Sequence, residues 1–267
     1  MTVRLGIAGA AGRMGQMLVH EAVGRSDCRV TSASEGPASP ALGQDAGTAA
    51  GVAPLGVAIG ADAEAFVRGC DAVLDFTVPA ATARHAVLAA RHGVALVAGT
   101  TGLNAEQERA IAEAARTTVV VRAANFSLGV NLLLGLVERA ARSLDAAWDI
   151  EIVEMHHRHK VDAPSGTALA LGQAAARARG INLDVTSERG RDGLTGARKP
   201  GAIGFASLRG GDVAGEHTVL FAAEGERLEL IHKATTRAIF ARGALAAALW
   251  TPGRPPGLYA MKDVLGL

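Results

Sequence analysis

The fold of the first half of the chain is decided by the stretch Val3-Arg4-Leu5-Gly6-Ile7-Ala8-Gly9-Ala10-Ala11-Gly12-Arg13-Met14-Gly15. Its first six residues form a short apolar run, which is typical of a buried strand. Glycines then follow in the spacing G-x-x-G-x-x-G, and a helical pattern continues to Val23. Such a turn lets the backbone approach a pyrophosphate and lets the helix pack against the strand. The stretch therefore predicts a strand, turn and helix that bind a dinucleotide.

A second strand, predicted over residues 28–34, ends directly before Glu35. Glu35 lies about twenty residues after Gly15, where a carboxylate can accept hydrogen bonds from the ribose diol of adenosine. The glycines alone would also fit a tight turn in any α/β protein, and Glu35 alone would fit a solvated strand end. Together, in a strand–helix–strand context, they favour dinucleotide binding.

Three further strands are predicted over residues 72–76, 94–98 and 118–122, after a long loop with a short strand at 56–59. They end in Asp75-Phe76-Thr77-Val78-Pro79, Gly99-Thr100-Thr101-Gly102 and Ala123-Ala124-Asn125-Phe126-Ser127. Helices are predicted over 80–91 and 104–116, with Asn104 as N-cap and Gln107 as its capping-box partner. Ligands of open parallel sheets bind at the carboxyl ends of strands, so these exits are expected to line a cofactor cleft. Each exit alone also fits an ordinary strand–helix connection.

The pattern changes near Ser127, where the alternation of strands and helices ends. A long apolar helix is predicted over 128–143, a strand over 149–155 and a helix over 168–179. An Arg- and Gly-rich loop over 186–204 precedes three strands without intervening helices, at 205–209, 217–222 and 227–234. Such strands indicate an antiparallel or mixed sheet, and hence a second unit of α+β type. A helix over 238–250 and a tail over 252–267 follow.

Composition narrows the class of protein. Hydrophobic residues make up 49% of the 267 residues but aromatic residues only 3%, which favours helices packed on a parallel sheet. The 27 basic and 26 acidic residues give a net charge of +1, so nothing favours nucleic acid or an anionic membrane as partner. Cys28 and Cys70 share no motif, and neither a signal peptide nor a long apolar run is found. We therefore expect a reduced, cytoplasmic location.

A cluster of ionisable residues marks the second unit, in Glu154-Met155-His156-His157-Arg158-His159-Lys160-Val161-Asp162-Ala163-Pro164-Ser165-Gly166-Thr167. Histidine titrates near neutrality, and the start of the following helix offers N–H groups to an anion. The cluster fits exposed polar residues at a strand end, a metal site that includes Glu154 and Asp162, or acid–base chemistry on an acidic substrate. Lys160 and the lack of an HExxH helix weigh against a metal, so acid–base chemistry is favoured.

The residues of this cluster are expected to have different roles. In an extended segment His156 and His157 point to opposite sides, so we expect them to have different roles. Ser165 or Thr167 can cap the helix, while the N–H groups of Gly166 and Thr167 can bind a carboxylate. Capping and anion binding coexist only if they use different N–H groups.

Residues 154–168 closely resemble the signature of the bacterial dihydrodipicolinate reductase family, and the resemblance covers essentially the whole chain. The other matching motifs are Gly9–Gly15, Asp75–Thr77, Gly99–Gly102, Ala124–Ser127, Gly204–Ser207 and Gly215–His217. The resemblance implies a Rossmann-type parallel sheet and a second α+β domain for substrate binding and oligomerisation. The implied domains are residues 1–127 completed by 241–267, for the dinucleotide, and 128–240, for the substrate and for assembly into a homotetramer. The implied reaction is the NAD(P)H-dependent reduction of 4-hydroxy-tetrahydrodipicolinate, a cyclic dicarboxylate, in the diaminopimelate pathway of lysine biosynthesis.

The resemblance also implies the site residues. His156 and Lys160 stand at the acid–base positions, and His157, Gly166 and Thr167 at substrate-binding positions. The nucleotide-binding positions are Gly9, Ala10, Ala11, Gly12, Arg13, Met14, Glu35, Gly99, Thr100, Thr101, Ala123, Ala124, Asn125 and Phe126. No metal is implied. Which of His156 and Lys160 donates the proton stays open, and His159 has no assigned role.

Two departures from the family pattern concern the cofactor. Members that use NADPH well often carry an arginine after the acidic residue and another after Asp-Phe-Thr, where this chain has Gly36 and Val78. A 2′-phosphate would meet the Glu35 carboxylate without these two cations, so NADH is expected to be preferred, with NADPH possible through Arg13.

Three alternative functions remain distinguishable. Another two-domain reductase, acting on a semialdehyde or an imine, would share the nucleotide half but would not require the histidine cluster. A metal-dependent hydrolase would leave the glycine turn unexplained. A nucleotide-sensing protein would bind NADH without turnover.

Overall fold

A seven-stranded sheet, parallel throughout, forms the centre of the first unit in this computed structural model, which describes residues 2–267. Its strands are Val3–Ala8 (β1), Cys28–Ser34 (β2), Ile59–Gly60 (β3), Ala72–Asp75 (β4), Ala95–Ala98 (β5), Val119–Arg122 (β6) and Gly257–Tyr259 (β12). They lie in the order β12-β6-β5-β4-β1-β2-β3. The strand order reverses between β1 and β4, which opens a crevice at their carboxyl ends. This unit takes in the chain up to Leu128 and the segment Ala238–Leu267.

Seven helices among the described residues 2–267 belong to this unit, and capping residues explain the ends of two of them. They are Arg13–Ala22 (α1), Ala46–Ala49 (α2), Ala63–Arg68 (α3), Pro79–His92 (α4), Ala105–Ala114 (α5), Ala238–Trp250 (α9) and Met261–Leu265 (α10). Pro79 opens α4 at a position where its missing N–H costs no hydrogen bond, and Gly93 closes it in the left-handed region at φ 65°. Asn104 and Gln107 form the predicted capping box of α5.

The sheet separates two hydrophobic layers because alternate strand residues face opposite sides. Leu74 and Val97 face the layer that contains α1 and α9, whereas Val73 and Leu96 face the layer of α3, α4 and α5. Alanines let α9 approach closely, and a Cβ at Gly243 would collide with the carbonyl oxygen of Phe126. Helix α9, although it follows the second unit in the chain, is therefore an integral part of the first unit.

The second unit, Gly129–Arg237, is built on a five-stranded mixed sheet. Its strands are Asp149–His156 (β7), Ser187–Arg189 (β8), Ile203–Arg209 (β9), Gly215–Ala223 (β10) and Glu226–Ala234 (β11), in the order β11-β10-β7-β9-β8. β10 is antiparallel to β7 and β11, while β7, β8 and β9 run parallel. The helices in this part of the chain are Leu128–Ser143 (α6), Gly166–Arg179 (α7) and Leu183–Thr186 (α8). Leu171, Ile152 and Phe221 are fully buried in the core between sheet and helices.

The predicted fold class is confirmed, with local corrections. The short strand expected at 56–59 lies at Ile59–Gly60, and the helix Ala63–Arg68 was not predicted because six residues carry too little periodicity. The loop expected over 186–204 contains β8, and the tail over 252–267 contains β12 and α10. β8 and β12 are three residues each, and both exist because they add to the edge of a sheet that is already formed.

No helix within residues 2–267 is both long and apolar enough to cross a membrane.

Candidate active site

The glycine-rich turn after β1 has no side chains at Gly9, Gly12 and Gly15, so a nucleotide could approach its backbone closely. Gly9 has φ +66°, and a Cβ there would lie 2.9 Å from Cγ2 of Thr77. A Cβ at Gly12 would lie 3.2 Å from the carbonyl oxygen of Gly9, and one at Gly15 would collide with the same oxygen. Each glycine therefore has a steric reason to lack a side chain, and the turn fits the close approach of a pyrophosphate.

Glu35 stands at the rim of a cleft of about 720 Å³ in the first unit. One carboxylate oxygen accepts from the N–H of Ala11 at 3.0 Å, and the other accepts from the N–H of Gly36 at 3.2 Å. Each oxygen has a further lone pair that a ribose hydroxyl could use. Val78 and Arg84 also line this cleft, so Arg84 brings a cationic side chain that the sequence analysis did not identify.

A buried carboxylate, Asp75, fixes the turn after β4. Asp75 is fully buried and accepts from the N–H of Thr77 at 2.9 Å and from its hydroxyl at 2.6 Å. The hydroxyl of Thr82 lies 3.1 Å away and Nδ1 of His85 2.7 Å away. Burial would raise the pKa of Asp75, but the hydrogen bonds with His85 and Thr77 outweigh it, and the net pKa lies below the usual value. The ionised group thus holds Thr77, which lines the cleft, in place.

The three predicted strand exits meet around a second cavity of the first unit, of about 380 Å³. The predicted nucleotide-binding residues that line it are Met14, Gly99, Thr100, Thr101, Ala124, Asn125 and Phe126. The ring of Phe126 is buried against Phe76, which also lines the cavity, with ring centroids 5.2 Å apart. A Cβ at Gly99 would collide with the Phe76 ring, which explains the glycine.

The other predicted nucleotide-binding residues lie in the turn and around the clefts. Gly9, Gly12 and Glu35 line the 720 Å³ cleft. Ala10 is buried and donates its N–H to the carbonyl of Ser34. Arg13 is exposed at the first residue of α1, and Ala123 donates its N–H to the carbonyl of Ala98.

In the second unit, the end of β7 is organised by Glu154. Its carboxylate is buried and lies 2.6 Å from Nδ1 of His156. Two nitrogens of Arg209 donate to it at 2.8 and 2.9 Å, and the N–H of Ser165 donates at 3.1 Å. Burial would raise the pKa of Glu154, but the bonds from Arg209 and His156 lower it to about 2. The carboxylate is therefore ionised at neutral pH.

The neighbouring candidates have different partners. Nε2 of His157 lies 3.3 Å from a guanidinium nitrogen of Arg237, and desolvation together with that cation lowers the pKa of His157. Nζ of Lys160 donates to both carboxylate oxygens of Asp162, at 2.7 and 2.9 Å. The rings of His157 and His159 lie 6.2 Å apart. His156 and His157 thus have separate environments.

Helix α7 begins beside this cluster. The hydroxyl of Ser165 accepts from the N–H of Ala168 at 3.1 Å, so Ser165 and not Thr167 is the N-cap. The cap thus uses the N–H of Ala168 and neither that of Gly166 nor that of Thr167. This satisfies the condition that capping and anion binding use different groups. The hydroxyl also lies 3.0 Å from Nε2 of the buried His217.

Sequence reasoning missed several residues of these sites. Three side chains that lie far along the chain contact the segment of residues 154–167: Arg209, Arg237 and His217. Strand pairing explains Arg209 and His217, which lie on β9 and β10, the two strands that flank β7, whereas Arg237 follows the edge strand β11. The ion pair of Glu154 with Arg209 also differs from the metal-ligand role considered for Glu154. No metal-binding arrangement of three or more His, Cys, Asp or Glu side chains occurs among residues 2–267.

A parallel sheet with a bare glycine turn, in one chain with a unit that clusters acid–base side chains, defines an oxidoreductase of the pyridine-nucleotide class. Comparison with known families gives the particular one. The family model described as dihydrodipicolinate reductase, N-terminus, matches residues 3–126, and the one described as dihydrodipicolinate reductase, C-terminus, matches residues 129–265. The chain belongs to the dihydrodipicolinate reductase family.

Individual relatives agree. The 4-hydroxy-tetrahydrodipicolinate reductase of Parvibaculum lavamentivorans is 57% identical over 269 residues, covering 99% of this chain and 98% of the relative. That of Methylocella silvestris is 58% identical over 265 residues, covering 99% and 97%. A dipicolinate-bound dihydrodipicolinate reductase from a Paenisporosarcina species superposes with a TM-score of 0.80 at 26% identity, over 98% of this chain and 99% of that one.

More distant structures share the fold alone. An amine dehydrogenase from Mycobacterium smegmatis superposes with a TM-score of 0.61 at 12% identity, over 98% of this chain and 95% of that one. The predicted family and the assignment as an oxidoreductase are confirmed by these comparisons, whereas the individual site residues stay predictions.

Proposed function

We infer that this chain catalyses the NAD(P)H-dependent reduction of 4-hydroxy-tetrahydrodipicolinate to tetrahydrodipicolinate, a step of the diaminopimelate route to lysine. Family membership over both halves of the chain supports this reaction, as do the full-length relatives that carry its name. One structural observation carries the mechanism. The Glu154 carboxylate binds both the His156 imidazole and the N–H of Ser165 at the start of α7, so one group ties a proton donor to a helix N-terminus.

The chemistry divides between the two units. When bound, a reduced nicotinamide nucleotide would supply a hydride to the ring of the substrate, after the substrate has lost its hydroxyl group. The predicted nucleotide residues are Gly9, Ala10, Ala11, Gly12, Arg13, Met14, Glu35, Gly99, Thr100, Thr101, Ala123, Ala124, Asn125 and Phe126. His157 and the N–H groups of Gly166 and Thr167 hold the substrate carboxylates, and the cation of Arg237 beside His157 adds to their attraction.

His156 and Lys160 are the proposed acid–base pair. After hydride addition a ring carbon takes up a proton, and an imidazole is suited to deliver it at neutral pH. Lys160 is held by Asp162, whose two carboxylate oxygens accept hydrogen bonds from Nζ. Full turnover with a raised KM in Lys160→Ala would identify Lys160 as a carboxylate anchor, whereas a strongly reduced kcat would identify it as a proton donor.

NADH is the proposed preferred cofactor. A 2′-phosphate beside Glu35 would meet a carboxylate, and the neighbouring Gly36 and Val78 offer no charge to oppose it. Arg84, which lines the same cleft, supports residual use of NADPH. The ratio of kcat/KM for NADH to that for NADPH tests this preference, and a ratio below one contradicts it.

The remaining assignments are proposed from the family. Residues 1–127 with 241–267 bind the nucleotide, and residues 128–240 bind the substrate and form a homotetramer, which sedimentation in solution would test. A cytoplasmic location agrees with a biosynthetic reaction.

The proposed reaction is tested by following NADH oxidation with freshly generated 4-hydroxy-tetrahydrodipicolinate and identifying the product. Stoichiometric NADH consumption with formation of tetrahydrodipicolinate is expected. Oxidation with an acyclic semialdehyde or imine but not with the cyclic dicarboxylate would contradict the proposal. So would NADH binding without turnover.

A further inference from the structure

The buried carboxylate of Glu154 determines which nitrogen of His156 carries hydrogen. Glu154 is 1% exposed, and with its pKa at about 2 it is ionised and can only accept hydrogen bonds. Its contact with His156 is 2.6 Å long and involves Nδ1. Nδ1 must therefore carry the hydrogen in the neutral imidazole, which leaves Nε2 as the nitrogen that takes up and delivers a proton.

The carboxylate itself is held from three directions. Arg209 on β9 binds both of its oxygens at 2.8 and 2.9 Å, and the N–H of Ser165 donates from the loop before α7 at 3.1 Å. Arg209 also donates to the carbonyl of Asp162 at 2.7 Å. A bidentate guanidinium fixes the plane of a carboxylate as well as its charge. Glu154 therefore offers His156 an acceptor with a fixed orientation.

The other side of the His156 imidazole faces a neutral histidine and a glycine. The ring of His217 on β10 lies edge-on to that of His156, with centroids 5.2 Å apart. Burial and the proximity of His156 lower the pKa of His217 to about 4, so His217 is neutral at neutral pH. A Cβ at Gly215 would lie 3.1 Å from Nε2 of His156, and the glycine keeps that space clear.

The Glu154 carboxylate is buried in this ion pair, whereas the side chain of Arg209 is 22% exposed. Removing a carboxylate from water costs several kcal/mol in general, and an apolar side chain of similar volume is often at least as stable. The Glu154–Arg209 pair therefore calls for a role that an apolar pair could not fill, and orienting and charging an imidazole is such a role.

We propose that Glu154, clamped by Arg209, is the positioning residue of His156: it fixes the Nδ1–H tautomer and stabilises the imidazolium whose Nε2–H is given to the substrate carbon. This inference rests on the proposed function. The proton leaves Nε2, the imidazole returns to the neutral Nδ1–H form, and solvent restores the proton. The other groups around the site are Ser207 on β9, His217 on β10, and His157, Lys160 and Asp162 on the loop after β7.

A double-mutant cycle tests the proposal. Glu154→Gln should lower kcat about 100-fold, within the range that a general acid contributes, while KM and the Kd for NADH change by less than about threefold. In the His156→Ala background the same substitution should have little further effect, because Glu154 acts through His156. A kcat for Glu154→Gln near that of the wild type, or independent losses that multiply in the double variant, would overturn it.

The pH profile and a matched control separate positioning from stability. Loss of the carboxylate disfavours the imidazolium, so the pH above which kcat falls should move to lower values in Glu154→Gln. Glu151→Gln, on the same strand, also breaks an ion pair, with Arg191 and Arg198, and should leave this pH limit unchanged. An equal shift in both variants would contradict the proposal.

Direct spectroscopy covers the case in which Glu154→Gln does not fold. Nitrogen-15 NMR of the wild type at alkaline pH should assign the Nδ1–H tautomer to neutral His156, and Arg209→Lys should shift the tautomer equilibrium toward Nε2–H. An Nε2–H tautomer in the wild type overturns the inference without any variant. Failure of the proposed function would be seen separately, as a wild-type chain that does not turn over the cyclic dicarboxylate.

Discussion

At the scale of single residues, Glu35 and its neighbours form the proposed recognition site for the adenosine end of the nucleotide. The carboxylate is oriented by the N–H groups of Ala11 and Gly36, so its charge lies at a fixed place on the rim of the cleft. Arg84 reaches the same cleft from α4, six residues after Val78, the position where an arginine commonly follows Asp-Phe-Thr. The preference between NADH and NADPH should therefore depend on the Glu35 carboxylate, which repels a 2′-phosphate, and on the Arg84 guanidinium, which attracts it.

We expect Gly36→Arg to raise kcat/KM for NADPH relative to NADH by about tenfold or more, because a charge-assisted hydrogen bond to a phosphate contributes about 1.5–3 kcal/mol. Arg84→Ala should lower kcat/KM for NADPH and leave that for NADH nearly unchanged. Arg91→Ala, on the same helix but paired with Glu64, is the matched control. An unchanged cofactor ratio in both Gly36→Arg and Arg84→Ala would refute this balance.

At the scale of elements, the start of α7 links helix stability to the site. Ser165 is buried, its hydroxyl accepts from the N–H of Ala168, and its own N–H donates to Glu154. The hydroxyl also contacts His217 on β10. One residue therefore fixes the first turn of the helix against two strands, and the orientation of the Gly166 and Thr167 N–H groups depends on it.

Ser165→Ala should reduce the free energy of unfolding by about 1–2 kcal/mol, the usual cost of losing an N-cap, and should also raise KM for the substrate. Asn104→Ala removes the N-cap of α5 in the first unit and should cost a similar free energy without changing this KM. Thermal denaturation and steady-state kinetics measure both quantities. If the two variants raised KM equally, the anion-binding role of the α7 start would be wrong.

At the scale of the whole molecule, buried histidine makes folding sensitive to acid. His217 is 4% exposed, and its Nδ1 has no hydrogen-bond partner among the described residues 2–267. Burial, followed by the charge of His156, lowers its pKa to about 4. Between about pH 6.5 and 4 the unfolded chain binds a proton that the folded chain does not, so the folded state loses stability as pH falls through this window.

The loss from His217 should amount to about 3 kcal/mol between pH 6.5 and 4, as an order of magnitude. His217→Gln should flatten the dependence of unfolding free energy on pH in this window, whereas a substitution at the exposed His20, His20→Gln, should not. Glu154 acts in a lower window, since its stabilisation is present above about pH 4.5 and is lost as pH falls through about 2. An unchanged pH dependence in His217→Gln would show that another group controls acid sensitivity.

Much of the fold and part of the site follow from local patterns in the sequence. The spacing of Gly9, Gly12 and Gly15 predicted the turn, because Gly9 has a positive φ and a Cβ at Gly12 or Gly15 would crowd the carbonyl oxygen of Gly9. The Asn104–Gln107 capping box was readable because it joins residues three apart. The motif from His156 to Thr167 was readable because its acid–base groups and helix start are consecutive.

Only the tertiary structure decided what surrounds these local features. β12 joins the first sheet although its three residues carry no strand pattern, because β6 offers an unpaired edge. Asp75 contacts Thr82 and His85 on the helix that follows it in the chain. Glu154, in contrast, contacts Arg209 only because β7 and β9 pair in parallel register. Sequence patterns report short-range geometry, whereas a buried charge is stabilised by whichever group packing brings to it. The proposed acid–base residues were therefore predicted from the sequence, whereas the side chains that surround them, such as Arg209 and His217, were not.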